Sequence, residues 1–136
     1  MPRRRTVSLE RGLMTIKLLI IDDDATITEM LELVLPARGI EVYAANTSSD
    51  GVAAVKQVEP DIILLDLMMP GLDGWELCRQ IRAFSTTPIL VLSAFIEKNG
   101  INRILAQGAN DYLAKPAPLS MLIGRIQKLI GPNGVS

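Results

Sequence analysis

The chain has 136 residues, 49% of them hydrophobic, with 14 Lys+Arg against 15 Asp+Glu and a formal net charge of −1. That length holds one domain, able to bury roughly 68–70% of the surface its unfolded chain exposes, and the balanced charge and 4% aromatic content leave neither a basic field nor stacking platforms for nucleic acid. There is no histidine, which excludes Ser-His-Asp and Cys-His triads, histidine metal sites and phosphohistidine carriage. The one cysteine, Cys78, cannot form an internal disulfide and fits a reducing cytoplasm, and no apolar run approaches the ~20 residues that span a bilayer.

The chain opens on MPRRRTVSLERGLM. Arg3, Arg4 and Arg5 resemble the start of a targeting segment, but no long apolar stretch or small-residue cleavage site follows. Residues 1–14 are therefore expected to form a disordered tail, with Met14 an alternative start. From Lys17 onward short apolar runs alternate with amphipathic stretches. The run at 18–21 (LLII) predicts a first strand and 25–38 a first helix, which Pro36 should end or bend near Leu35 because it lacks an N–H. A strand is expected at 40–45, a helix at 49–58, and a third strand at 62–65 (IILL). In the helix that follows, 73–84, Arg79, Gln80 and Arg82 oppose Leu77, Cys78 and Ile81, and Trp75 and Cys78 read as packing residues. The pattern closes with strands at 89–92 (ILVL) and 112–114 (YLA) and helices at 97–107 and 118–130. Turn signals such as Arg38-Gly39, Pro70-Gly71 and Gly108-Ala109-Asn110 punctuate the units.

The first, third and fourth runs are continuous in Ile, Leu and Val, as expected of strands buried on both faces. Strand and helix in alternation predict an α/β fold with a parallel sheet and right-handed crossovers. The expected organisation is a tail at 1–14, one domain at 15–131, and a tail or linker start at 132–136.

Chemistry-bearing residues follow four of the runs. Asp22, Asp23 and Asp24 follow LLII, Asp66 follows IILL, Ser93 follows ILVL, and Lys115 follows YLA. In a parallel sheet these places all fall at the carboxyl edge, where open α/β sheets bind ligands. A lone aspartate after a strand commonly caps the next helix, and Asp24 is read that way. Capping does not account for four such coincidences. Carboxylates brought together need a cation, and hard oxygen ligands with room for water favour Mg²⁺. A phosphoryl group spreads its charge over three equatorial oxygens, which Mg²⁺, the Lys115 ammonium, the Ser93 hydroxyl and backbone N–H groups would neutralise.

The strings IIDDD, LLDLMMPGLDGWEL, PILVLSA and GANDYLAKP resemble, in order, the signature segments of bacterial response-regulator receivers, the CheY-like family, over roughly residues 16–131. The resemblance implies a doubly wound five-stranded parallel sheet, flavodoxin/CheY-like (βα)5, with the strand order 2-1-3-4-5 that CheY itself adopts. It also implies phosphorylation of Asp66 with Mg²⁺ by a sensor histidine kinase or histidine phosphotransfer protein. The chain would then catalyse only its own phosphorylation and dephosphorylation. Position by position, Asp22 and Asp23 match the acidic pair, with Asp23 the direct metal ligand. Met68 matches the residue whose backbone carbonyl reaches the metal. Ser93 and Tyr112 match the switch positions, Ala94 the small residue that leaves space for the phosphate, and Lys115 the phosphate-binding lysine. The Lys115–Pro116 bond is expected to be cis, aiming the lysine into the site. Apolar Met68 and Phe95 flank the site, which implies slow self-dephosphorylation.

An output surface is expected on the fourth helix, fifth strand and fifth helix, serving a phosphorylation-dependent homodimer or an output protein. Asp111 and Arg125 match charged dimer positions of the winged-helix transcription-factor receivers, whereas Ile101 departs from the basic residue expected on the fourth helix. The domain itself is expected to contact neither nucleic acid nor membrane and to work in the cytoplasm. Asp22-Asp23-Asp24-Ala25-Thr26 also satisfies the DxDxT pattern of haloacid dehalogenase-type phosphatases, but residues 116–136 supply no further acidic ligand. A degenerate receiver acting as an unphosphorylated module, and a receiver that is one part of a transcription factor, complete the alternatives.

Overall fold

Strands made almost wholly of Ile, Leu and Val have no face to give to water, and the chain covers both faces with helices. The computed structural model describes residues 15–67, 74–94 and 98–130. In chain order these form β1 (Ile16–Ile21), α1 (Ala25–Val34), a 3₁₀ turn (Pro36–Arg38), β2 (Ile40–Ala45), α2 (Ser48–Val58), β3 (Ile62–Asp66), α3 (Gly74–Arg82), β4 (Ile89–Ser93), α4 (Lys98–Ala106), β5 (Asp111–Ala114) and α5 (Leu119–Ile130). The strands pair in parallel in the order β2-β1-β3-β4-β5. Every residue of β3 and β4 is buried.

The period of two along each strand divides the core. Leu19, Ile21, Ile63, Leu65, Ile89 and Val91 pack against α2, α3 and α4 through Val55, Leu77, Ile81 and Ile104. Leu18, Ile20, Ile62, Leu64, Leu90 and Leu92 face the other way, onto Leu31 of α1 and Leu122 and Ile126 of α5. Shifting any central strand by one residue would exchange its two faces, so these runs fix the register, and the register fixes which strand ends meet.

The first helix is shorter than the expected 25–38. The Leu35 N–H closes the last helical bond onto the Leu31 carbonyl, and Pro36 then opens the 3₁₀ turn, a position that requires no N–H from it. Gly39 follows at φ 80, left-handed backbone that favours glycine. The other helices agree with expectation to within a residue or two at the ends described. Two side chains cap helix starts: Asp24, as expected, accepts from the Thr26 N–H at 2.9 Å, and Thr47 accepts from the Asp50 N–H at 3.1 Å. Arg82 ties the far end of α3 to two loops, donating to the carbonyls of Gly108 at 2.9 Å and Ser85 at 3.0 Å and to Asn110 Oδ1 at 2.8 Å. Among the described residues, no helix is long and apolar enough to cross a membrane. The expected tails at 1–14 and 132–136 lie outside the described residues.

Candidate functional site

Register brings the four strand ends to one edge. Ile21 pairs with Leu65, Asp66 with Leu92, and Ser93 with Ala114. Asp22 therefore leaves β1 beside Asp66 at the end of β3, Ser93 ends β4 next to them, and Lys115 leaves β5 one step further. The order 2-1-3 reverses direction between β1 and β3, the switch point at which such sheets open a crevice.

Asp22, Asp66 and Ser93 are 1%, 6% and 1% exposed, whereas Asp23 lies at the surface. Lys115 bridges the two buried carboxylates, with its Nζ donating to Asp22 Oδ2 at 2.9 Å and to Asp66 Oδ2 at 3.3 Å. The other Asp22 oxygen accepts from the Asp24 N–H at 2.9 Å. One carboxylate oxygen from each of Asp22, Asp23 and Asp66 lies within 4.8 Å of the others. Burial pushes the Asp22 carboxyl above its ordinary value, opposed by the Asp24 N–H and Lys115 and reinforced by the Asp66 charge. Burial also works against the Lys115 ammonium, but the Asp22 and Asp66 carboxylates outweigh it and hold the lysine above its ordinary value.

Among the described residues the three clustered carboxylates have one ammonium beside them, in contact with Asp22 and Asp66, so the cluster is short of positive charge. Its donors are all hard oxygens, two walled by the sheet and one facing solvent. That set fits a small divalent cation that keeps part of its water shell, Mg²⁺ above all.

The structure thus gathers Asp22, Asp23, Asp66, Ser93 and Lys115 as the sequence predicts, and Asp24 is the cap it was read to be. The Lys115–Pro116 bond is cis. Tyr112 is half-buried on β5, level with Val91 and packed against the core cluster on the α3–α4 side. Met68 and Phe95 lie outside the described residues. Sequence reasoning missed Asn46, whose Nδ2 donates to the Asp22 carbonyl at 2.7 Å. The available signal was its place one residue past β2, on the same edge as the acids. It also missed a largely apolar groove of about 510 Å³ beside Lys115, lined by Ile27 and Met30 of α1, Pro116, Ala117 and Leu122.

A doubly wound parallel sheet carrying an acidic cluster and a lysine at its switch point defines a small α/β domain of the CheY-like type. The chain belongs to the response regulator receiver domain family, whose model matches residues 18–127. It is 36% identical over 117 residues to the DNA-binding response regulator MtrA of Mycobacterium tuberculosis (strain ATCC 25618 / H37Rv), covering 86% of this chain and 51% of MtrA. The chain therefore spans about half the length of the curated relatives it matches. A two-component response regulator from Clostridium difficile superposes with a TM-score of 0.82 at 30% identity, over 85% of this chain and 96% of that one. Vibrio cholerae chemotaxis protein CheY4 gives 0.79 at 28% identity, over 85% and 98%. The domain is a receiver of two-component signalling, and the phosphatase alternative falls with that membership.

Proposed function

We propose that this receiver, residues 15–131, accepts a phosphoryl group onto Asp66 from the phosphohistidine of a sensor histidine kinase or a histidine phosphotransfer protein, with Mg²⁺ as cofactor. The observation that carries the reading is the position of Asp66: a buried carboxylate at the end of the central strand β3, held by the Lys115 ammonium at 3.3 Å and flanked by two further acids. An Asp66 oxygen attacks phosphorus as the phosphorus–nitrogen bond of the donor breaks, and the imidazole leaves with that bond's electron pair. Lys115 would offer its ammonium to a phosphoryl oxygen, and the hydroxyl of Ser93, which ends the neighbouring strand β4, would do the same. Asp22, Asp23 and Asp66 would hold the Mg²⁺, with the carbonyl of Met68 as the further ligand the family resemblance implies, and the ion would supply charge neutralisation to the transferring oxygens. The residues position and neutralise, and no further substrate is turned over.

Support for DNA-binding output comes from the longer curated relatives, such as MtrA, named a DNA-binding response regulator; in a longer protein this domain would gate such an output. The test of the central claim is incubation with acetyl phosphate and Mg²⁺ followed by mass spectrometry. One phosphoryl group on Asp66 is expected, with none after chelation by EDTA and none in Asp66→Asn. Stoichiometric labelling of that variant at another residue refutes the assignment.

A further inference from the structure

The three acids of the cluster are not held alike. Asp22 and Asp66 are buried and share the Lys115 ammonium. Asp23 is exposed, and among the described residues no side-chain hydrogen bond or ion pair holds its carboxylate. Its place is set by the backbone that precedes it. That backbone has just left the sheet, since the β1–β2 pairing ends at Ile21 and Ala45. Two contacts extend the grip by one peptide: the Asp22 N–H donates to the Ala45 carbonyl at 3.1 Å, and the Asp22 carbonyl accepts from Asn46 Nδ2 at 2.7 Å. An amide facing a carbonyl must present its NH₂, so the Asn46 orientation is fixed by what it touches.

From this geometry we infer that Asn46 is a positioning residue for the metal centre: by clamping the Asp22 carbonyl it orients the Asp22–Asp23 peptide and thereby aims the untethered Asp23 carboxylate at the cation. The inference rests on the metal reading proposed above. Outer groups that orient a ligand commonly change metal affinity by about 10–100-fold when removed. Asn46 is at the surface on an edge strand's exit, so its loss disturbs little packing. Thr47 is the natural control. Its hydroxyl caps α2 through Asp50 and has no part in the clamp, so Thr47→Ala destabilises the same loop without releasing Asp22.

The test uses Mn²⁺ as probe, counted through the electron paramagnetic resonance signal of the free ion and displaced with Mg²⁺, alongside thermal melts in EDTA. Asn46→Ala is expected to weaken Mn²⁺ binding by roughly tenfold while melting close to the wild type, whereas Thr47→Ala melts lower and binds Mn²⁺ normally. Asp23→Asn separates the two levels of the argument. If it binds Mn²⁺ as well as the wild type does, the metal reading itself fails. If Asp23→Asn is impaired but Asn46→Ala binds normally, or if Thr47→Ala weakens binding as much as Asn46→Ala, the positioning role is overturned and the metal site stands.

Discussion

Replacing Lys115 by methionine removes the cation shared by two buried carboxylates and keeps most of the side-chain volume. At an effective dielectric of about 20, an ammonium 2.9 Å from Asp22 and 3.3 Å from Asp66 is attracted by ~6 and ~5 kcal/mol, while the two carboxylates, with oxygens within 4.8 Å, repel by ~3.5 kcal/mol. Desolvation offsets much of that attraction, and the lysine side chain keeps 18% of its exposure. The net loss in the metal-free protein should therefore fall below the ~3–5 kcal/mol of breaking a fully buried pair, near ~2–3 kcal/mol. In a domain of this size that lowers Tm by roughly 6–15 °C. Metal binding should change in the opposite direction, because a competitor for the same oxygens has gone. Mg²⁺ should bind the variant several-fold more tightly and close part of the gap in Tm.

The same variant tests the pH dependence. The folded Lys115 value is raised above the ordinary 10.5, so its contribution to stability is fully present below that value and is lost as pH rises through the higher folded one. The wild type should therefore lose stability on this alkaline limb, and Lys115→Met should not. The raised Asp22 value has the corresponding sign: its contribution is present below the ordinary 3.8 and is lost as pH climbs through the folded value. Without Lys115 that value should rise further, and mild acidification should stabilise the variant. The assay is thermal melting in EDTA from about pH 5 to about pH 11, with calorimetric Mg²⁺ titration at neutral pH. A variant that melts within about 2 °C of the wild type and binds Mg²⁺ unchanged would refute the shared-cation reasoning.

Gly124 is exposed in the middle of α5, and a Cβ added there meets nothing within 4 Å, so Gly124→Ala should stabilise by ~0.5–1 kcal/mol in urea denaturation; a loss of stability would show that the helix needs the glycine. Arg82→Lys should cost ~1–3 kcal/mol despite keeping the charge, because one ammonium cannot reproduce the forked contacts to Gly108, Ser85 and Asn110, and an unchanged urea midpoint would contradict this. Gly74→Ala should destabilise by more than ~1 kcal/mol, since its Cβ would sit 2.8 Å from the Leu67 backbone, and thermal melting at wild-type temperature would count against that close approach. Beryllofluoride with Mg²⁺ should alter self-association or hydrogen exchange across α4, β5 and α5; sedimentation velocity and exchange profiles unmoved in both would remove the proposed output surface.

What the sequence disclosed follows from how each feature is encoded. The central strands were legible because β3 and β4 are buried on both faces and so are written as unbroken apolar runs. Their carboxyl ends were legible for the same reason: an Asp, Ser or Lys directly after such a run has to emerge at one edge once the sheet is parallel. The edge strand β2 ends in Ala44 and Ala45 and is followed by Asn46, with no acid to mark its exit, so the clamp on Asp22 had no local signature. It depends on the pairing of β1 with β2, a contact between residues 24 apart in sequence. The groove beside Lys115 was hidden in the same way, since its walls come from α1 and the β5–α5 connection. The early end of α1 was legible, because Pro36 acts on its own backbone and needs no partner.

The architecture also suggests how a charge at one edge would reach a surface. Ser93 and Lys115 end or follow β4 and β5, and the Lys115 N–H donates to the Ser93 carbonyl at 2.8 Å, so the two elements are coupled at the site itself. Beyond them α4 is lightly anchored: of its nine residues only Ile104 is buried, against three in α5 and four in α3. The rest of its hold comes from contacts such as Arg103 stacked 4.5 Å over the Trp75 ring. Few buried contacts mean a low cost of local displacement. Arg125 of α5 is already engaged within the chain, donating to Asp111 Oδ2 at 2.9 Å and to the Tyr112 carbonyl at 3.0 Å. A dimer using those charges between two subunits would have to exchange this pair for an equivalent one. Exposed or half-exposed ion pairs are worth only ~0–1 kcal/mol, so the exchange is nearly neutral. The balance would then be set by the position of α4. A phosphoryl group that drew Ser93 and Lys115 toward Asp66 would act on the two strand ends that flank this helix, the one with the fewest buried residues among those described.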